Sequence, residues 1–184
     1  MSSLLLLKAD ISSDANRLLL GGTPEPTHYT PLADNRIPAE DRPEKFAHWV
    51  SSYFQHGDTG AKVMDALSWV EPSTIRPASI NHMTTEEKEA MIYMPTYEVP
   101  YMRGSREQFA YAYHKVFFDD SVKTLFPHFK ATFLTGELSP AFAMSSYWMV
   151  ENDAKEAGKP LNLVIIPGSN HFVGFSKVSF GGKR

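Results

Sequence analysis

One of the seven histidines in this 184-residue chain has a setting suited to catalysis. Leu163-Val164-Ile165-Ile166 is an apolar, largely β-branched run, Pro167-Gly168 stops it, and His171 follows at once. A strand that ends this way delivers an imidazole to the rim of a sheet, where α/β proteins place functional groups. A neutral imidazole there acts as general base toward a hydroxyl or a water. The plainer reading is a loop histidine bonded to backbone, and position alone weighs the two evenly. A base also needs an orienting acid. Two acids follow expected strands, Asp10 after the first and Glu137 after the second. Each has an ordinary alternative, Asp10 as a loop or cap residue and Glu137 as a solvated turn.

The nucleophile such a base would serve is harder to find. There is no cysteine and no Gly-x-Ser-x-Gly turn. Ser139-Pro140 reads as the N-cap and first residue of a helix. Ser145 and Ser146 fall inside that same helix. His28, His56, His82 and His128 stand near Pro or Gly in expected loops, and His48 and His114 within helices. No pair has the spacing His-x-x-x-His or His-Glu-x-x-His, so no metal is expected. Gly181-Gly182-Lys183 lacks the strand-loop-helix frame of a phosphate loop, and no cofactor is expected.

The elements that must position these groups follow from periodicity and punctuation. Leu4 to Ala9 reads as a buried strand ending at Asp10, and a turn-rich loop follows from Gly21 to Pro26. Phe46, Trp49, Val50, Tyr53 and Phe54 share one helical face, which predicts a helix from about Pro38–Asp41 to His56-Gly57. Val63, Met64, Leu67 and Val70 predict a second over about 59–70. Thr84-x-x-Glu87 and Ser105-x-x-Gln108 are capping boxes that open a third and a fourth. Lys130 to Gly136 is a second strand. A helix follows to about Ala157, stopped by Gly158. Leu161 to Ile166 is the third strand, and a last helix could begin after Phe172. Strands joined by helical connections run parallel. The expected class is therefore α/β, with a small parallel sheet of about three strands. Residues 1–22 hold the first strand and loop, 23–127 a helical insert, and 128–184 the last core segment with His171.

Hydrophobic residues make up 42%, charged residues 21% and aromatics 12% of the chain, an ordinary globular composition with enough aromatic area for an apolar pocket. A net charge of −3 gives no basis for binding nucleic acid. Leu4 to Leu7 is too short for a signal peptide or a membrane span, which needs roughly 20 apolar residues. With no cysteine to oxidise, a reducing, cytoplasmic setting fits.

Pro167-Gly168-Ser169-Asn170-His171-Phe172 resembles the last strand-to-loop segment of the α/β-hydrolase family, where the histidine of the catalytic triad sits. Phe133-Leu134-Thr135-Gly136-Glu137-Leu138-Ser139-Pro140 is similar to the end of the preceding strand. The stretch from Tyr29-Thr30-Pro31-Leu32-Ala33-Asp34 to Trp49-Val50-Ser51-Ser52-Tyr53-Phe54 looks like the start of the helical cap in fungal members. The resemblance spans nearly the whole chain but corresponds to the family's carboxy-terminal half. It implies a truncated α/β-hydrolase-like fold with a helical cap insert. It also implies hydrolysis of a small apolar ester, lactone or epoxide, with His171 as base and Asp10 or Glu137 as its acid. The family's nucleophile elbow lies in an earlier half, so this activity would require a nucleophile-bearing half. Ser139 stands where the family often has an acid, which gives Asp10 weight.

Two alternatives remain open. One is a non-catalytic module that binds a small ligand or a partner. The other is an enzyme that uses His171 with water and no serine. The first strand, as an open sheet edge, invites self-association or pairing with a missing half.

Overall fold

The computed structural model describes residues 9–13, 16–91 and 104–172. The chain is a mixed α/β structure. Its sheet has strands β1 (Ala9–Ser13), β2 (Lys130–Gly136) and β3 (Asn162–Ile166) in the order β1-β2-β3. Both pairings are parallel. Ala9 to Ser13 lie opposite Lys130 to Leu134, and Thr132 to Gly136 lie opposite Asn162 to Ile166. Leu4 to Leu7 and any helix after Phe172 fall outside the described residues.

The first strand departs from the expected one. Among the described residues it runs from Ala9, where the strand was expected to end, through Asp10 to Ser13. β2 is the middle strand, and its burial deepens toward Gly136, with Phe133 and Thr135 fully buried.

α5 (Ala141–Glu156) connects β2 to β3 and organises the core. Its first ten residues are all buried or half-buried, as in a helix with neighbours on several sides, and Asn152, Lys155 and Glu156 reach solvent. Val150 joins Leu20, Tyr113 and Phe133 in one cluster. Ala141, Met144 and Trp148 join Leu67 in a second. Phe142 packs on a third, made of Trp49, Val50 and Phe54. The helix ends in a Schellman motif. Lys159 N–H donates to the Ala154 carbonyl at 3.0 Å and Gly158 N–H to the Lys155 carbonyl at 3.1 Å, with Gly158 at φ 63°.

The long connection from β1 to β2 carries α1 (Arg42–Val50), α2 (Thr85–Met91), α3 (Arg106–Phe118) and α4 (Asp120–Leu125). Both capping boxes form. Thr84 N–H donates to Glu87 Oε2 at 2.8 Å, and Ser105 N–H to Gln108 Oε1 at 2.8 Å. α4 was not expected; the Asp119 side chain opens it by accepting the Ser121 N–H at 2.7 Å.

Two expectations fail here for a shared reason. α1 stops at Val50, because the hydroxyls of Ser51 and Ser52 turn back onto the carbonyls of Ala47 and His48 at 2.8 and 2.7 Å. Over 59–70 there is no α-helix but two short 3-10 turns, Thr59–Ala61 and Met64–Ala66. The Asp58 carboxylate accepts the Gly60 N–H at 2.9 Å, and Lys62 takes the left-handed conformation at φ 51°. Local side-chain bonds offered the backbone an alternative to the helix, and it took it.

Candidate functional site

The site is built where β2 and β3 end. The Glu137 N–H donates to the Ile166 carbonyl at 3.0 Å and the Leu138 N–H to the Ser169 carbonyl at 2.8 Å. The exposed Glu137 carboxylate accepts the Gly168 N–H at 2.8 Å. These bonds lace the loop after β2 to the loop that carries His171. Gly136 makes the approach possible: a Cβ there would stand 2.6 Å from the carbonyl oxygens of both Ser169 and Asn170.

The connecting segment holds the same loop from the other side. Asn170 is fully buried. Its Nδ2 donates to the Ser51 carbonyl at 2.6 Å and to Ser79 Oγ at 2.8 Å. Its Oδ1 accepts the Phe172 N–H at 3.0 Å, which closes a local turn around His171. Arg76 donates to the Gly168 carbonyl at 2.7 Å while its guanidinium lies 3.8 Å from the centre of the Tyr53 ring. Phe54 N–H adds a bond to the Leu138 carbonyl at 2.9 Å.

His171 is half-buried between rings. It stands edge-on to Phe142 and Phe172, with centroids at 5.7 and 5.6 Å. Behind them are Trp49, Val50 and Phe54. One side of the imidazole thus faces an apolar wall drawn from α5 and the connecting segment, and its backbone is fixed by Asn170. Such a placement can present a ring nitrogen to a ligand at the sheet's carboxyl edge.

The two expected acids are placed differently. Asp10 lies within β1 opposite Ala131, not after the strand. From that level to Gly136 is about 17 Å at the usual strand rise, so the register sets Asp10 far short of the edge that His171 occupies. The acid that follows β1 in sequence, Asp14, lies outside the described residues. Glu137 is at the correct edge, with its carboxylate on the Gly168 amide of the histidine loop. Ser139 is not the N-cap of α5. Pro140 takes that position, and Ser139 is fully buried.

His56, expected to be a loop histidine of little consequence, joins the connecting segment to the start of α5. Its Nδ1 accepts the Ser68 N–H at 3.1 Å, which assigns the proton to Nε2, and Nε2 donates to the Ser139 carbonyl at 2.9 Å. Burial holds this imidazole below its ordinary pKa, and the Ser139 carbonyl opposes that effect only in part. Asn170, Ser79, Arg76 and His56 were all missed as site residues, because each acts across a long sequence separation.

A cavity of about 260 Å³ lies at the opposite end of the strands, near Lys130 and Asn162. Phe117, Phe118, Phe129 and Leu161 line it, with Lys123 and Lys159. The aromatic side chains are divided between two regions. Tyr113, Phe117 and Phe118 pack on the core beside Phe133, and Trp49 and Phe54 stand behind His171. Among the described residues no group of His, Cys, Asp and Glu is placed to hold a metal ion, and no helix is long and apolar enough to cross a membrane. No protein-family model, curated protein or solved structure matches the chain.

Proposed function

We propose that this chain supplies the cap and the general base of an α/β-hydrolase-like enzyme that cleaves a small apolar ester, lactone or epoxide. The single observation that carries the reading is the position of His171. It follows the last parallel strand, beside the loop of the neighbouring strand, against an apolar wall built partly by the inserted segment.

In this reading, with an ester or lactone, the neutral His171 imidazole takes the proton of a hydroxyl nucleophile as that oxygen attacks the carbonyl carbon, and the imidazolium returns the proton to the leaving oxygen. The same imidazole then takes a proton from the water that cleaves the acyl-enzyme and gives it to the nucleophile oxygen, which restores the hydroxyl. The nucleophile belongs to an elbow-bearing half that pairs with β1, an outer strand among the described residues. Glu137 stays in the proposal as the acid because it is bonded to the loop that carries His171. Asp10 leaves it, because its level on β1 is too low. The wall of Trp49, Phe54, Phe142 and Phe172 favours an apolar acyl or alkyl group over a charged one.

The test combines the chain with an elbow-bearing half and follows hydrolysis of p-nitrophenyl butyrate. Turnover is expected to appear only in the complex, and His171→Ala to lower it about 10²- to 10⁴-fold. Complex formation without turnover, or turnover indifferent to His171→Ala, would sink the proposal.

The amino-end cavity favours a second reading, a non-catalytic module for a small apolar ligand, because this space lies away from His171. Under that reading Leu161→Trp abolishes ligand binding and His171→Ala leaves it intact.

A further inference from the structure

We propose that Asn170 is the positioning residue of His171, and that it fixes the imidazole by tying the β3 loop to Ser51 and Ser79 of the connecting segment. The role rests on the reading of His171 as general base.

Burying an amide away from water is costly. Asn170 is fully buried, and a buried carboxamide is tolerated only when its polar atoms are bonded. Both acceptors of its Nδ2, the Ser51 carbonyl and Ser79 Oγ, belong to the connecting segment. A planar NH₂ with both hydrogens committed cannot rotate, so the side chain is locked to that segment. Its Oδ1 takes the Phe172 N–H at 3.0 Å, and His171 is the residue enclosed by that turn. The planes on either side of His171 are thereby referred to Ser51 and Ser79 rather than to the sheet alone.

The partners are themselves held. Ser79 N–H donates to the Ser51 carbonyl at 2.8 Å, and Ser79 Oγ lies 3.3 Å from the Tyr53 hydroxyl. From behind, the Asn170 carbonyl packs against Gly136 at a distance that excludes a Cβ. The loop can neither sag toward β2 nor lift away without breaking these bonds. No other side chain of this length offers two donors and an acceptor. Asp keeps the acceptor and loses the donors, and Ala loses both.

The experiment uses Asn170→Asp, Asn170→Ala and Ser79→Ala in the full chain, with His171→Gln to assign the imidazole resonances by NMR. All three variants are expected to move the His171 ring resonances, while His28 and His114 stay in place. In the complex with an elbow-bearing half, kcat is expected to fall about 100-fold with KM little changed, the signature of a misplaced group. Ser79→Ala leaves Asn170 and its turn intact, so it decides the matter if the Asn170 variants do not fold. Folded variants whose His171 resonances and kcat match the parent would overturn the positioning role. If His171→Gln leaves hydrolysis untouched while Ser79→Ala still moves the ring, the general-base reading fails and the tie itself stands.

Discussion

At the carboxyl ends of β2 and β3, the following loops approach so closely that Gly136 has no room for a Cβ. At the amino ends of the same strands lies a cavity of about 260 Å³. Each end also has a glycine, kept for a different reason. Gly136 is kept for space. Gly158, in the turn that leads into β3, has nothing within 4 Å of where a Cβ would stand, and is kept for its φ of 63°. The contrast separates two demands. The carboxyl end is constrained by neighbours from every direction. At the amino end, Gly158 is constrained only by its own backbone conformation.

Substitutions at four positions test that contrast. Gly136→Ala is expected to have the largest effect, about 3 kcal/mol of lost stability by urea denaturation, because the atoms in the way are backbone carbonyls that cannot rotate aside. A loss under 1 kcal/mol (roughly the tolerance of a loosely packed site) would mean the end is not tight.

His56→Ala comes next. It takes away the ring's bonds to the Ser68 N–H and the Ser139 carbonyl, at a cost of about 2 kcal/mol. The parent should also show a pH signature. The folded pKa of His56 lies below its ordinary value, so the unfolded chain takes up the proton first. The stability this group contributes is complete above about pH 6.5 and is lost as the pH falls below it. His56→Ala should flatten that slope in thermal melts collected from neutral to mildly acidic pH.

At the amino end, Gly158→Ala should cost about 1 kcal/mol, the price of a left-handed residue with a Cβ, and Gly158→Asn less. Calorimetry that found the two variants equal would argue against φ as the reason for the glycine. Smallest of all, Ala131→Val on the cavity wall should leave stability unchanged or raise it by up to about 1 kcal/mol, since it adds atoms where space exists. Clear destabilisation in the same urea assay would show that this space is not available for packing.

What could be read from the chain beforehand divides along the same line as local and distant causes. β2, both capping boxes and the Gly158 stop are set by residues within a few positions of one another, and each was legible. The apolar spacing of Trp49, Val50 and Phe54 correctly marked what is buried but not its conformation. Phe54 is fully buried in an irregular stretch, beyond the end of the helix at Val50. The same failure produced the expected helix over 59–70, where Val63 and Val70 are in fact exposed. At the site, His171 announced itself through the strand and turn before it. Asn170 looked like a spacer, because its partners Ser51 and Ser79 are distant in sequence and a buried amide carries no local signature. Asp10 was expected just after a strand ending at Ala9, but polar residues carry the pairing on to Ser13.

The parallel order β1-β2-β3 has a consequence for how the molecule comes together. β2, α5 and β3 are consecutive, so their pairing closes a short loop and depends on local contacts. β1 meets β2 only after a connection of more than a hundred residues (roughly, from the strand limits) has been brought round, and closing it carries a larger entropic cost. Asn170 spans the same divide, joining the end of the short unit to residues of the long connection. The histidine's final alignment therefore belongs to the latest contacts to form and the earliest to open, and amide exchange at Phe172 should report the integrity of the whole chain rather than that of the β2-α5-β3 unit.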